Sequence, residues 1–231
     1  ILEHMVDAVL YFEGESSGNL RILHGQKNRF GASGEIAVFE MSGEGLQEVR
    51  NPSELLLSGR PLGASGSVVS CGMEGTRPLL LEIQGLPVPP SFGLPRRTAN
   101  GIDFNRLNLL LAVIERRLGI EMSRYDAYVN ITGGLRIQEP SLDLAVILAL
   151  ISSCRNLAVP EDVLIFGEVG LAGEVRAVSR AEQRIQEALR LGFRRIVMPA
   201  YHSDKARELA GNSAEIIAVK NIREALTILR K

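Results

Sequence analysis

Residues 142–151 constrain the fold more than any other stretch of this chain. They read Leu-Asp-Leu-Ala-Val-Ile-Leu-Ala-Leu-Ile after Pro140, which predicts a helix that is apolar nearly all round. A helix without a polar face lies in the core of a protein. Hairpin strands are predicted before this helix, and strands alternate with helices after it. This order is typical of an α+β fold with a mixed sheet.

Length and composition limit the domain organisation. A chain of 231 residues can hold one large domain, or one domain and part of another. Residues 58–67 are small and turn-rich, so we place a boundary there, between residues 1–60 and residues 61–231. We find no apolar run as long as a membrane span and no signal-peptide pattern at the start. We therefore expect a cytoplasmic protein without a membrane partner.

Cysteine and histidine give no indication of a metal site. Cys71 and Cys154 are far apart and lack any Cys-x-x-Cys spacing, so we expect both to be reduced and structural. The three histidines, His4, His24 and His202, are scattered along the chain. The sequence therefore contains no group of residues with the spacing of metal ligands.

Residues 25–31, with the sequence Gly-Gln-Lys-Asn-Arg-Phe-Gly, carry the first candidate site. They lie between two β-branched runs and predict the end of a strand and the turn into the next one. Residues two apart share a face of a strand, so Lys27 and Arg29 would present two cations side by side while Asn28 points away. The ammonium of a Lys and the planar guanidinium of an Arg, placed side by side, can together bind a phosphate. The alternative is a solvated basic hairpin end that binds nothing.

The same stretch carries a resemblance to a known family. Lys-Asn-Arg-Phe-Gly at residues 27–31 resembles the signature pentapeptide of the RadA family, also called Sms, which are bacterial DNA-repair ATPases of the RecA class. Residues 2–14 resemble the segment that precedes the pentapeptide in that family. The resemblance implies that residues 1–60 are the last strands of a RecA-like ATPase domain. It also implies that Lys27, Asn28, Arg29, Phe30 and Gly31 form the motif, with Lys27 and Arg29 acting in trans on ATP held by a neighbouring subunit.

The resemblance further implies cofactors and partners. Members of the family are expected to use ATP and Mg, to assemble as a homo-oligomer, expected to be a hexamer, and to act with the RecA recombinase. They are expected to bind single-stranded DNA and to promote branch migration of recombination intermediates. This chain has no Gly-x-x-x-x-Gly-Lys-Ser/Thr loop and lacks the four-cysteine zinc module of the family. We therefore expect the chain alone to bind neither ATP nor zinc.

From about residue 66 onward, the order of elements resembles the proteolytic domain of Lon, which has a ribosomal protein S5 domain 2-like fold. That resemblance implies a nucleophile position at Ser141 and a base position at Glu182, where Lon has a lysine. A Glu with an ordinary pKa of about 4.3 is a weak base toward a hydroxyl. Its neighbours Arg180 and Arg184 stay protonated. We predict a Lon-like scaffold without protease activity, in which Ser141 is a helix cap or a first-turn residue; the alternative is an active Ser–Lys peptidase.

Arginine-rich stretches give a second candidate surface. The formal net charge of −1 does not by itself indicate DNA binding, but arginines cluster beyond the predicted boundary. Among them, Arg96, Arg97 and Arg106 are the residues that we expect to contact DNA. Glutamates are interleaved with these arginines, so solvated helix faces are an equally good interpretation.

Overall fold

The computed structural model describes residues 4–13, 20–31, 33–90 and 93–229. The first part of the chain forms a small antiparallel sheet, and the rest forms a larger mixed sheet covered by helices. The loop that the sequence predicts at residues 13–19 lies outside the described residues, apart from Glu13.

The small sheet has four strands in sequence order, and all of its pairings are antiparallel. Its strands are β1 (Ala8–Glu13), β2 (Leu20–Asn28), β3 (Ile36–Ser42) and β4 (Gly45–Glu48). The glycines and polar residues at positions 40–45 predict that the strand region closes there after three strands. That prediction is wrong, because the chain continues into β4, which begins at a glycine and is short and mostly polar. Nothing in its sequence alternates as a half-buried strand does.

The large sheet has seven strands in the order β13-β12-β9-β5-β6-β8-β7. Its strands are β5 (Ser67–Glu74), β6 (Arg77–Val88), β7 (Arg97–Asn100), β8 (Asp126–Ile131), β9 (Val163–Ile165), β12 (Arg195–Pro199) and β13 (Glu215–Val219). Strand β6 pairs antiparallel with β5 and β8, whereas the other pairings are parallel. The predicted mixed sheet of an α+β fold is confirmed.

A two-stranded hairpin, six α-helices, the π-helical segment Ile114–Leu118 after α2 and several short 3₁₀ turns complete the described elements. The hairpin joins β10 (Glu168–Val169) to β11 (Val175–Arg176). The helices are α1 (Pro52–Leu57), α2 (Phe104–Val113), α3 (Asp143–Arg155), α4 (Ala181–Arg190), α5 (Ser203–Ala210) and α6 (Ile222–Ala225). Asp103 caps α2 by accepting a hydrogen bond from the Arg106 amide at 2.7 Å, as its sequence predicts.

Helix α3 lies in the core, as the sequence predicts. Each of its residues from Asp143 to Ser152 is buried, and the helix packs on β5 and β6. Gly85 of β6 permits this close approach, because a Cβ atom there would lie 2.7 Å from the backbone nitrogen of Leu150.

The large sheet buries apolar side chains on both of its faces. Val68 points into the cluster that contains α2 and α3, whereas Val69 points into the cluster that contains Ile185 of α4 and Ala206 of α5. Alternate residues of a strand face opposite sides, so helices cover the sheet above and below. Loops at the sheet edges are therefore the places where polar groups can gather.

Two local predictions need correction. The prolines among residues 87–97 predict a segment that is neither helix nor central strand. That prediction is wrong at its start, since Pro87 lies within β6 and pairs with Ala127. Strand β5 pairs with β6 only as far as Gln84, so Pro87 has a free edge on that side. Asn51 before Pro52 predicts a capped helix start, and α1 does begin at Pro52. The Asn51 side chain makes no cap, however, and its Oδ1 atom accepts a hydrogen bond from Arg190.

Helix α1 connects the two parts of the chain. Ser53 is fully buried, donates to Glu187 of α4 at 2.7 Å and accepts from the Leu80 amide of β6 at 3.1 Å. This helix therefore packs on the large sheet, although it precedes the predicted boundary. The division into residues 1–60 and 61–231 stays a prediction.

Candidate functional site

The pentapeptide lies at the end of β2, beside the start of β1. The register pairs Val9 with Lys27 and Leu10 with Gly25, so Gln26 is an extra residue of β2 and forms a bulge. A bulge changes the direction of the side chains next to it. The strand ends at Asn28, whose Oδ1 atom accepts a hydrogen bond from the Phe30 amide at 3.1 Å. The alternation that the sequence predicts thus stops within the motif itself.

Both cations of the motif contact the segment before β1. Lys27 Nζ donates to the Val6 carbonyl at 2.8 Å, and Arg29 Nη1 donates to Asp7 Oδ1 at 3.0 Å. The Arg29 amide also donates to the Asp7 carbonyl at 2.9 Å. The Arg29 side chain is 73% exposed. The structure therefore brings Lys27 and Arg29 to one neighbouring segment and leaves much of the guanidinium accessible.

The remaining motif residues shape the bend. Phe30 is 83% exposed, so it does not contribute to the core of this chain. A Cβ atom at Gly31 would lie 2.8 Å from Asn28 Nδ2, so a larger residue would push against the side chain that holds the bend. A role of Asn28, Phe30 and Gly31 in a reaction stays a prediction.

A polar contact that the sequence analysis missed joins the two sheets near this motif. His24 of β2 has Nε2 at 3.3 Å from Glu13 Oε2, without the alignment of a hydrogen bond, and Nδ1 at 3.7 Å from Glu74 Oε1 of β5. Burial raises the pKa of Glu74, and the neighbouring His24 lowers it in part. No sequence signal connects residues this far apart.

Arg184 occupies the position opposite Ser141. Ser141 is buried in the short 3₁₀ turn Pro140–Leu142, and its Oγ atom accepts a hydrogen bond from Arg184 Nη1 at 3.0 Å. Arg184 is fully buried and also donates to Glu139, to the Cys71 carbonyl and to the Ser179 carbonyl. Burial raises the pKa of the Cys71 thiol to about 12, so this cysteine stays protonated.

The placement of Glu182 opposite Ser141 is wrong. Glu182 is exposed on α4 and lines a surface groove with Arg180 and His202, whereas Arg184 lies on the buried face of the helix. Ser141 makes no helix cap, although it does lie in the turn that leads into α3. The sequence held a signal for this arrangement. Ala181, Arg184, Ile185 and Ala188 share a helical stripe that is otherwise apolar.

The predicted DNA-contacting arginines differ in their surroundings. Arg96 is exposed, whereas Arg97 donates to the carbonyls of Met122, Tyr125 and Arg96. Arg106 makes a two-pronged contact with Asp143 and donates to the Val169 carbonyl at 3.1 Å. Burial raises the pKa of Asp143, and the bond from Arg106 opposes that shift. Arg97 and Arg106 thus hold loops of this fold together.

A polar groove of about 430 Å³ lies at the carboxyl ends of the parallel strands β7 and β8. Its polar side chains are those of Asn100, Asn130, Arg136 and Gln138, and no carboxylate is among its lining residues. The Ile137 amide donates to the Gly101 carbonyl at 2.9 Å and fixes one wall. Ligands of open sheets commonly bind outside the carboxyl ends of parallel strands.

The described residues give no indication of a metal site or of a membrane span. They contain no group of three or more His, Cys, Asp or Glu side chains arranged to hold a metal ion. Their helices are all too short or too polar to cross a membrane.

Similarity to a known protein family indicates the class of protein to which the chain belongs. Residues 85–202, just over half of the chain, match the family described as subunit ChlI of Mg-chelatase. The match covers β7, β8, β9, β12 and the end of β6, together with α2, α3 and α4. The chain is therefore a protein with a ChlI-type domain.

Curated relatives then define the particular family. The chain is 52% identical over 227 residues to DNA repair protein RadA of Bacillus subtilis, which covers 98% of this chain and 49% of that protein. It is 49% identical over 232 residues to DNA repair protein RadA of Halalkalibacterium halodurans, which covers 99% of this chain and 50% of that protein. The chain belongs to the RadA family. It spans about half the length of these relatives.

Proposed function

We propose that the protein to which this chain corresponds is a DNA-repair ATPase that binds single-stranded DNA and promotes branch migration of recombination intermediates. The relatives that carry the name DNA repair protein RadA match nearly the whole chain at about half identity, and this similarity carries the proposal. ATP and Mg would be bound by residues outside this chain, because its sequence has no phosphate-binding loop.

Lys27 and Arg29 would act on ATP that a neighbouring subunit holds. The exposed guanidinium of Arg29 and the ammonium of Lys27, both at the end of β2, can reach an anion from outside the chain. An arginine supplied in trans stabilises the charge that develops during phosphoryl transfer, which is worth roughly 10³–10⁵ in rate. A ring of subunits, which we take to be a hexamer, would supply the neighbouring nucleotide.

The large mixed sheet and its helices would be a Lon-like scaffold that has kept the fold and lost the chemistry. Its support is the contact between Arg184 and Ser141, because a guanidinium that stays protonated cannot take the proton of a serine hydroxyl. The active-peptidase alternative has no support in this geometry. In this proposal, the scaffold assembles the ring and provides a contact surface for DNA. The whole protein acts together with the RecA recombinase.

The polar groove and Arg96 are the surfaces on which this DNA contact would fall. The groove has amide groups and one arginine but no carboxylate, which favours an anionic ligand with hydrogen-bonding edges. Arg97 and Arg106 are occupied by carbonyls and by Asp143, so they would contribute mainly by shaping the surface. Binding through phosphates weakens as salt rises.

The full-length relative of this chain provides the test of Lys27 and Arg29. Lys27→Ala and Arg29→Ala should abolish DNA-stimulated ATP turnover, or its coupling to branch migration, without changing the folded structure. Arg29→Lys should also lose activity, because it keeps the charge but lacks the planar fork. Lys205→Ala is a matched control on α5, where the lysine makes a surface pair with Glu208. Full turnover and branch migration in both alanine variants would refute the assignment.

A further inference from the structure

The cations of the pentapeptide are already engaged within this chain. The Val6 carbonyl accepts a hydrogen bond from Lys27 Nζ, and the Asp7 carboxylate accepts one from Arg29 Nη1. The Asp7 carbonyl accepts from the backbone amide of Arg29. These contacts come from two consecutive residues immediately before β1. The short segment therefore occupies part of the space around the two cations, where an incoming anion would compete with it.

We propose that Val6 and Asp7 form a latch on the pentapeptide, and that Arg29 exchanges the Asp7 carboxylate for an oxyanion. The inference rests on the proposed function, since it concerns the regulation of the same two cations. A carboxylate and a phosphate offer a guanidinium the same kind of charged oxygen. The Asp7 side chain thus holds the place of the ligand and competes with it.

The exposure of the pair sets the strength of the latch. Arg29 is 73% and Asp7 is 55% exposed, and they are joined through one guanidinium nitrogen. Exposed ion pairs of this kind contribute about 0.2–1 kcal/mol, which corresponds to roughly a 1.4- to 5-fold effect on a competing equilibrium. The backbone bond from the Arg29 amide to the Asp7 carbonyl does not depend on the side chain. The position of the segment should therefore survive a substitution of Asp7.

The test uses this chain and inorganic tripolyphosphate. The Nε–Hε signal of Arg29 is followed by NMR during titration at about 0.1 M salt, in the wild type and in Asp7→Asn. Asparagine has nearly the same shape as aspartate but no charge. The latch predicts that Asp7→Asn binds tripolyphosphate up to about 5-fold more tightly, and that adding Arg29→Gln to it removes the gain.

Glu48→Gln is the matched control. Glu48 is an exposed carboxylate on β4, at the opposite edge of the same sheet. Three strand spacings separate it from β1, roughly 14 Å, which exceeds the Debye length of about 10 Å at this salt. An unchanged affinity in Asp7→Asn, or an equal gain in Glu48→Gln, would overturn the latch. Neither result decides whether Arg29 acts in trans, because ATP turnover of the full-length Arg29→Ala protein measures that separately.

Discussion

Arg184 donates a hydrogen bond to Ser141 Oγ at 3.0 Å, across 43 positions of sequence. The guanidinium is fully buried, and its other donors reach Glu139 and two backbone carbonyls. The Cζ atom of Arg184 also lies 6.0 Å from the centre of the Phe166 ring. A buried cation with this many hydrogen-bond acceptors stabilises the fold. Ser141 is one of these acceptors, and the protonated guanidinium beside it cannot activate it as a nucleophile.

Arg184→Ala should lower the free energy of unfolding by about 3–5 kcal/mol. The substitution removes the positive partner of Glu139 and leaves buried carbonyls without a donor. Urea unfolding followed by circular dichroism measures the difference. Arg190→Ala is the control on the same helix, where the ion pair with Glu187 is partly exposed, and it should cost about 1 kcal/mol or less. Equal costs for the two variants would contradict the buried network.

Ser141→Ala should lower the free energy of unfolding by about 1–2 kcal/mol, because Arg184 loses one acceptor. Incubation with unfolded casein should give no cleavage in the wild type or in the variant, since the side chain facing Ser141 cannot act as a base. Gel analysis of the casein over time provides the measurement. Cleavage by the wild type that disappears in Ser141→Ala would restore the peptidase interpretation.

Local signals explain which parts of the fold could be predicted from the sequence. The Asp103 cap and the left-handed Gly119 after α2 depend on neighbouring residues only, and the burial of α3 follows from its uniform apolarity. The partner of Ser141 depends on the rotation of α4 about its axis, which the residues next to Ser141 in sequence do not indicate. The apolar stripe through Ala181, Ile185 and Ala188 would have pointed to Arg184 rather than to Glu182.

The candidate site was predictable only in part for a related reason. The sequence indicates that Lys27 and Arg29 are close to each other and near a strand end. The bulge at Gln26 and the contact with Asp7 depend on how β1 pairs with β2, and pairing register is not visible in either strand alone.

Gly101→Ala should destabilise the chain more than Gly119→Ala. Both glycines have left-handed backbone, with φ of 84° and 71°, so the conformational cost of a Cβ atom, roughly 1–2 kcal/mol, applies to each. A Cβ atom at Gly101 would also lie 2.6 Å from the Leu135 carbonyl oxygen, whereas no atom lies within 4 Å at Gly119. The clash would displace the wall of the polar groove. Thermal unfolding of the two variants measures the difference. An equal loss of stability in both would show that the groove wall can move to accept the Cβ atom without an energetic cost.

The pKa of Asp162 should be lower than its ordinary value of 3.8, because Arg195 donates hydrogen bonds to the carboxylate. A carboxylate whose pKa is depressed in the folded state adds stability at pH values above 3.8. That stability is lost as the pH falls from 3.8 through the folded-state pKa. Carbon-13 NMR titration of the Asp162 carboxyl group measures the shift. Arg195→Gln should return the pKa most of the way to 3.8. Arg194→Gln removes a neighbouring positive charge but leaves the Arg195 hydrogen bond intact, so it should raise the pKa of Asp162 much less. An equal rise in both variants would show that nearby positive charge, and not the hydrogen bond, causes the shift.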